Sequence, residues 1–460
     1  VVDVACGFGK QDVAPMNDSL LPTVEISREK TGAIFLCQSR RDAPLVFVRL
    51  QHPGGAILEP QTQAGLADLA CEWWEEGPAG VKPSDWHRRA EAIAADVGFN
   101  VNSTHWSAET DCLTEHADET QAMLLEMLRA PGLPTAEWPQ LVKRRRASAK
   151  EEWAQPNQVI GRLAAVQYYG YAHPYAHQTF EKSLHAARAE DAVALVRSAF
   201  GHYEGQIYGI VGGDVDAEKG FRLLRELADV RSGKRTHPLP SPVPLPARER
   251  TWLMDHRKVD QAFFRLQRGA FKSGEPRRVA LRLADYILGG GGFSSRLMER
   301  VRSQFGHTYG ISSRCPEREF ASPFSIASFT RAENLGAMLT LIGSVLREVV
   351  EQGFTAEERA AAAEHLYGSL PLQLLSPKQV LGFTLGGLRA GLSPKDLEND
   401  WRQIKETSLA EVNEAARCLI GDGVFQLAVI GPAKQLRPQL DAWDEIAVFP
   451  YSARPDRWPK

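Results

Sequence analysis

Between Arg231 and Arg250 five prolines fall on every second position: Pro238, Pro240, Pro242, Pro244 and Pro246. Alternating proline fits neither a helix nor a central strand, because it removes backbone donors and holds φ near one value. An extended linker is the reading that remains. The stretches that precede it and close the chain echo one another. EGQIYGIVGGDVDAEKGFRLLRELADV, from Glu204, and DGVFQLAVIGPAKQLRPQLDAW, from Asp422, each read as a buried strand, a glycine turn and an amphipathic helix. A duplicated α+β chain follows: an N-terminal domain over 1–230, the Pro-rich linker over 231–250 and a C-terminal domain over 251–460, each copy within the usual domain size.

Along the first copy, Thr23 to His52 alternates and breaks like a three-stranded meander. Leu66, Leu69, Ala70 and Trp73 then share one helical face, and Gly77-Pro78 ends that helix. Strands are expected near 98–103 and 110–115, with helices over 117–129, 135–153, 157–169 and 190–200. The second copy repeats the order from a strand at 261–268.

The densest local pattern is ADYILGGGGFSSRLMERVRSQFGHTYGISS, Ala284 to Ser313. An apolar helix end runs into Gly289, Gly290, Gly291 and Gly292. Ser294 or Ser295 then caps a second helix, with Leu297, Val301 and Phe305 on one stripe. Gly306 ends it and Tyr309 opens a strand. The glycines lack the Lys-Ser/Thr of a phosphate loop and follow a helix rather than a buried strand, so they read as a hinge between helices. Phe293 and Phe305 fit core packing better than a chamber lining.

This stretch resembles the C-terminal half of the pitrilysin and mitochondrial-processing-peptidase family of zinc metallopeptidases, and in particular the non-zinc subunit of a bacterial two-chain peptidase. The resemblance implies that Arg302 and Tyr309 form the family's substrate-holding pair and that the Gly289–Gly292 run is a substrate-binding loop. A guanidinium and a phenol are donors suited to a peptide carbonyl or an oxyanion. It also implies two homologous mixed α/β-sheet domains, joined by the Pro-rich linker, as half of a clamshell chamber closed by a second chain.

Active members carry His-x-x-Glu-His on the first helix, two imidazoles and a glutamate base on one face. Aligned on Gly65-Leu66-Ala67, those positions here hold Asp68, Cys71 and Glu72. With both histidines replaced, this chain is not expected to activate water, and zinc is expected on the partner. Two carboxylates one turn apart suit at most a weak hard-cation site, and a surface-facing acidic pair is the default reading. His173 and His177 bracket Pro174, which disfavours a helical ligand pair, so they read as a loop.

The resemblance therefore implies a non-catalytic, substrate-binding subunit of a heterodimeric metallopeptidase, with a zinc-bearing homologue as partner and peptides as substrates. Two alternatives carry the same fold: an inactive scaffold subunit, or a precursor-peptide binding module in cofactor maturation. A net charge of −3 argues against nucleic acid as partner, and no apolar run is long enough to span a membrane. The basic run Lys143 to Arg146, within a helical stretch followed by Glu151 and Glu152, reads as a solvated face with paired charges. Six scattered cysteines form no Cys-x-x-Cys pair. Either periplasmic export, with a signal removed, or a cytoplasmic site fits a chain that begins at Val1.

Overall fold

The computed structural model describes residues 21–130, 136–200, 205–230, 250–305, 310–318 and 322–459. The linker prolines and Tyr309 lie outside the described residues. Strands β1 (Glu25–Arg28), β2 (Ile34–Ser39), β3 (Leu45–Pro53), β4 (Asp96–Val101), β5 (His105–Leu113) and β6 (Tyr208–Gly213) form one sheet in the order β1-β2-β6-β3-β5-β4. Strands β7 (Thr251–Asp255), β8 (Gln261–Phe271), β9 (Ile311–Arg314), β10 (Ser322–Arg331), β11 (Gln426–Gly431) and β12 (Ile446–Pro450) form the other, in the order β12-β7-β11-β8-β10-β9.

Leaving aside the edge strands β1 and β12, the two sheets have the same topology. In each, one parallel pair (β2 with β6, β7 with β11) is followed by antiparallel neighbours. The helix at Ala117–Arg129 and the strands flanking the glycines stand where the sequence places them; the three strands expected at 23–52 form, but not as a meander, because β6 inserts between β2 and β3 and pairs parallel with the one and antiparallel with the other. Strand β7 does not. Its Thr251, Trp252, Leu253 and Met254 are all buried, so it shows none of the alternation by which a half-buried strand is recognised.

The helices cross between the sheets. The Pro156–Tyr169 helix, from the first half, lays Val159, Ile160, Leu163 and Ala164 on Trp252, Met254, Ala428 and Ile430 of the second sheet. The Pro377–Arg389 helix, from the second half, lays Leu381 and Leu385 on Ile34, Leu36, Phe47, Tyr208 and Ile210 of the first. Both helices open on the same pattern, Pro156-Asn-Gln-Val-Ile-Gly161 and Pro377-Lys-Gln-Val-Leu-Gly382. Proline is favoured in a first helical turn, where its missing N–H costs nothing. Polar ties reinforce the first exchange: Gln267 Nε2 donates to the Ala164 carbonyl at 2.6 Å, and Gln167 Nε2 to those of Arg250 and Leu427 at 2.8 and 3.1 Å. Each half thus covers a sheet face that the other would leave exposed.

Candidate functional site

The helix carrying the zinc-motif positions spans Leu66–Trp74 and packs against the helices at Trp138–Trp153 and Ala189–Ala199 and against β4. Its start is set by Gly65, at φ +95°, where a side chain would be strained and would collide with Thr179. Glu59, 7 % exposed, takes the place of a capping side chain. Its carboxylate accepts from Gly65 N at 3.2 and 3.1 Å and from Ala67 N at 3.0 Å, and His177 Nδ1 lies 3.5 Å from it. A carboxylate at a helix start satisfies free N–H groups and opposes the helix dipole. The His173–His177 loop is thereby brought to the head of this helix. Its middle is a short 3-10 turn, Pro174–Ala176, and His173 stacks on Tyr169 with ring centres 4.5 Å apart. Burial, with His177 beside it, lowers His173 to about 4, so its ring is neutral at physiological pH.

One turn into the helix the three motif positions part company. Cys71 is 6 % exposed and belongs to the apolar core, where burial raises its thiol well above the ordinary range. Asp68 and Glu72 face the Trp138–Trp153 helix, and there arginines meet them. Arg145 Nη2 lies 3.9 Å from Asp68, and Arg144 Nη2 lies 3.7 Å from Glu72. Arg145 also donates to Glu152 at 3.4 Å, and Glu152 is shared with Arg162. The expected solvated face with paired charges holds for Arg144, 64 % exposed, and for Arg146, which pairs with Glu181, while Arg145 is drawn in toward the motif helix. Burial, with Glu59 adding its charge, pushes Asp68 up to about 6 against the pull of Arg145; solvent reaching 47 % of the side chain makes that a ceiling. This set does not fit zinc. It has no imidazole, its thiol faces the core, and guanidinium groups stand where a metal's charge would sit. Among the described residues no group of three or more His, Cys, Asp or Glu side chains is placed to hold a metal ion.

In the second half the Arg278–Asp285 helix occupies the corresponding place, between β8 and β9. The glycines differ from their expected conformation. Helical structure continues through Tyr286–Gly290 as a π turn, with Gly291 N donating to the Tyr286 carbonyl at 2.8 Å, and Gly292–Ser294 form a 3-10 turn. Packing is the reason. A Cβ on Gly289 would stand 2.6 Å from Ser313 Oγ and 2.7 Å from Ser313 N of β9, so the helix approaches the strand closely only because no side chain intervenes. Asp285 fixes the same junction, accepting from Ser313 Oγ at 2.6 Å and from Cys315 N at 3.3 Å. Glu75 does likewise in the first half, accepting from Phe99 N of β4 at 2.9 Å. Burial raises both carboxyl groups. One device, an acidic side chain gripping the neighbouring strand, occurs in both copies.

Arg302 lies on the Arg296–Phe305 helix, exposed, its guanidinium 5.0 Å from the centre of the Phe293 ring. Phe293 is 77 % exposed, which corrects the core assignment; it forms a platform for Arg302. Leu297 and Val301 are buried as expected, at 0 % and 1 %. Arg296 and Arg300 of the same helix are held by Glu358 and Glu348, whereas among the described residues Arg302 has no ion-pair partner. This helix packs on the Leu335–Gln352 helix, β9 and the glycine turns, not among the neighbours of the motif helix. No helix among the described residues is long and apolar enough to cross a membrane.

Comparison with known proteins agrees with this architecture. Residues 189–366 match the family model described as the peptidase M16 inactive domain. The chain is 24 % identical over 402 residues to the non-peptidase homolog YmxG of Helicobacter pylori, covering 86 % of this chain and 90 % of that protein. The crystal structure of a peptidase M16 inactive domain from Pseudomonas fluorescens superposes with a TM-score of 0.79 at 23 % identity, over 89 % of this chain and 98 % of that one. The periplasmic protease PqqL of Escherichia coli superposes with a TM-score of 0.72 at 18 % identity, over 93 % of this chain but 49 % of the longer PqqL chain.

Proposed function

Because the chain is a pitrilysin-like homologue of the M16 inactive-domain type, we propose that it is the non-catalytic, substrate-binding subunit of a two-chain zinc metallopeptidase that acts on peptides. A homologous partner would carry the zinc and the activated water. This chain would contribute Arg302, with Tyr309, to hold the peptide carbonyl and support the oxyanion.

One observation carries the reading: the positions of the metal motif are spent on an arginine network, while Arg302 is exposed and makes no ion pair among the described residues. The length relation with PqqL supports the second chain, since that protease has room in one polypeptide for two units of this size.

The test is peptide cleavage by this chain alone, by a zinc-bearing homologue from the same source alone, and by the mixture, with zinc measured on each. Only the mixture should cleave, zinc should sit on the homologue, and Arg302→Ala should slow the mixture by about 10²–10³-fold. Stoichiometric zinc and cleavage by this chain alone would overturn the proposal. Full activity of the mixture with both Arg302→Ala and Tyr309→Phe would instead favour the scaffold reading.

A further inference from the structure

The two sheets carry an arginine at the same register. Arg49 of β3 lies opposite Ile210 of β6 and Glu109 of β5, and Arg265 of β8 lies opposite Ala428 of β11 and Ala327 of β10. Two residues on, Gln51 faces Ser107 and Gln267 faces Ser325. The copies differ at one point. Arg49 reaches Glu109 through Nε at 2.6 Å and Nη2 at 2.5 Å. Arg265 has alanine where that carboxylate stands, and its Nε is buried with no acceptor among the described residues.

The surroundings supply more positive charge. The guanidinium lies against Gly161 of the covering helix, where a Cβ would stand in ordinary contact with it, 3.7 Å from Arg265 Nη1. Arg314 shares the sheet face, because it pairs opposite Ser325, which in turn faces Gln267. Arg318 lies 5.2 Å from the centre of the Tyr175 ring and lines a cleft of about 370 Å³ with Thr104, Tyr175 and Ser273. Burial, followed by the charges of Arg314 and Arg318, weakens the hold of Arg265 on its proton. Among the described residues none of the three makes an ion pair. Among the described residues, two carboxylates near them are engaged elsewhere: Glu317 by Arg282, and Asp285 by Ser313 and Cys315. Arg265, half-buried beside two exposed like charges, is the one that gains most when an anion joins it.

We propose that Arg265, Arg314 and Arg318 form a carboxylate-binding site on the second sheet, taking an acidic side chain or the free C-terminus of a peptide laid across Ser312, Ser325 and Ala327. A carboxylate is favoured because the sister sheet holds one, Glu109, at this very position. The small side chains of Ser312, Ser325 and Ala327, all at least partly exposed, leave space above the strands for a ligand. The site belongs to this chain alone and requires no zinc-bearing partner.

Fluorescence anisotropy of the isolated chain with four labelled peptides tests it. The peptides share one sequence and differ in a single Glu or Gln and in a free or amidated C-terminus. Binding should follow the carboxylate, and whichever change removes it identifies side chain or terminus as the source. Ala327→Glu, which rebuilds the Arg49–Glu109 pairing, should weaken binding tenfold or more, a charge-assisted hydrogen bond being worth about 1.5–3 kcal/mol. Its melting temperature should hold or rise. Arg318→Gln, at an exposed position, provides a variant whose folding is not in question and should also weaken binding. Equal affinity for all four peptides, no binding up to about 1 mM, or unchanged affinity in Arg318→Gln would overturn the proposal.

Discussion

By the resemblance, Cys71 would stand where an active relative places its glutamate base, yet its side chain is in the core. Rebuilding the motif as Asp68→His, Cys71→Glu and Glu72→His should therefore fail twice. Cys71→Glu alone buries a carboxyl without a partner and should lower unfolding free energy by about 2–7 kcal/mol in urea titration. The triple variant should remain substoichiometric in zinc by elemental analysis, because Arg144 and Arg145 still face the site. His105 carries a second prediction at this scale. It is 6 % exposed, its Nδ1 lies 2.8 Å from Arg389 of the other half, and burial, followed by Arg389, lowers it to about 3. The unfolded chain binds a proton there below about 6.5 and the folded chain does not, so this stability is present above that pH and is lost as pH falls toward 3. The loss should reach about 3 kcal/mol by pH 4, and His105→Asn should flatten the slope between pH 6 and 4. Of these residues, the loss of the metal motif was legible in Asp68, Cys71 and Glu72. The arginines that answer it were not, since Arg144 and Arg145 lie on another helix and only tertiary packing brings them there.

At the scale of elements, the glycine run shows where local pattern misleads. Four successive glycines have little helical propensity, and an open hinge is the natural reading. The structure holds Tyr286–Gly290 as a π turn because Asp285 anchors β9 and Gly289 lets the strand come close. The glycines are accordingly unequal. Gly289→Ala should cost about 1–3 kcal/mol through overpacking against Ser313. Gly292→Ala, at φ +61° with open space around it, should cost only about 1 kcal/mol, from its backbone. Equal losses in denaturant titration would refute this account of the turn.

For the whole molecule, the division into 1–230 and 251–460 describes the sheets better than the cover of the sheets, because helices cross it in both directions. Leu381→Ala, in the second half, removes a fully buried side chain from the face of the first sheet and should cost about 2–5 kcal/mol. Hydrogen exchange should accelerate in β2 and β6 as well as around the mutated helix, and urea unfolding should remain one transition. Two resolved transitions would show that the halves stand independently. The sequence by itself determined the duplicated α+β plan, most strand and helix positions and the absence of a zinc motif, because periodicity, proline and ligand chemistry are local properties. Only the tertiary structure decided which helix covers which sheet, although the Pro-x-Gln-Val-aliphatic-Gly repeat was there to be read. It alone decided that arginines face Asp68 and Glu72, and that Arg265 lacks the partner Arg49 has, because strand register and helix packing join residues far apart in the chain.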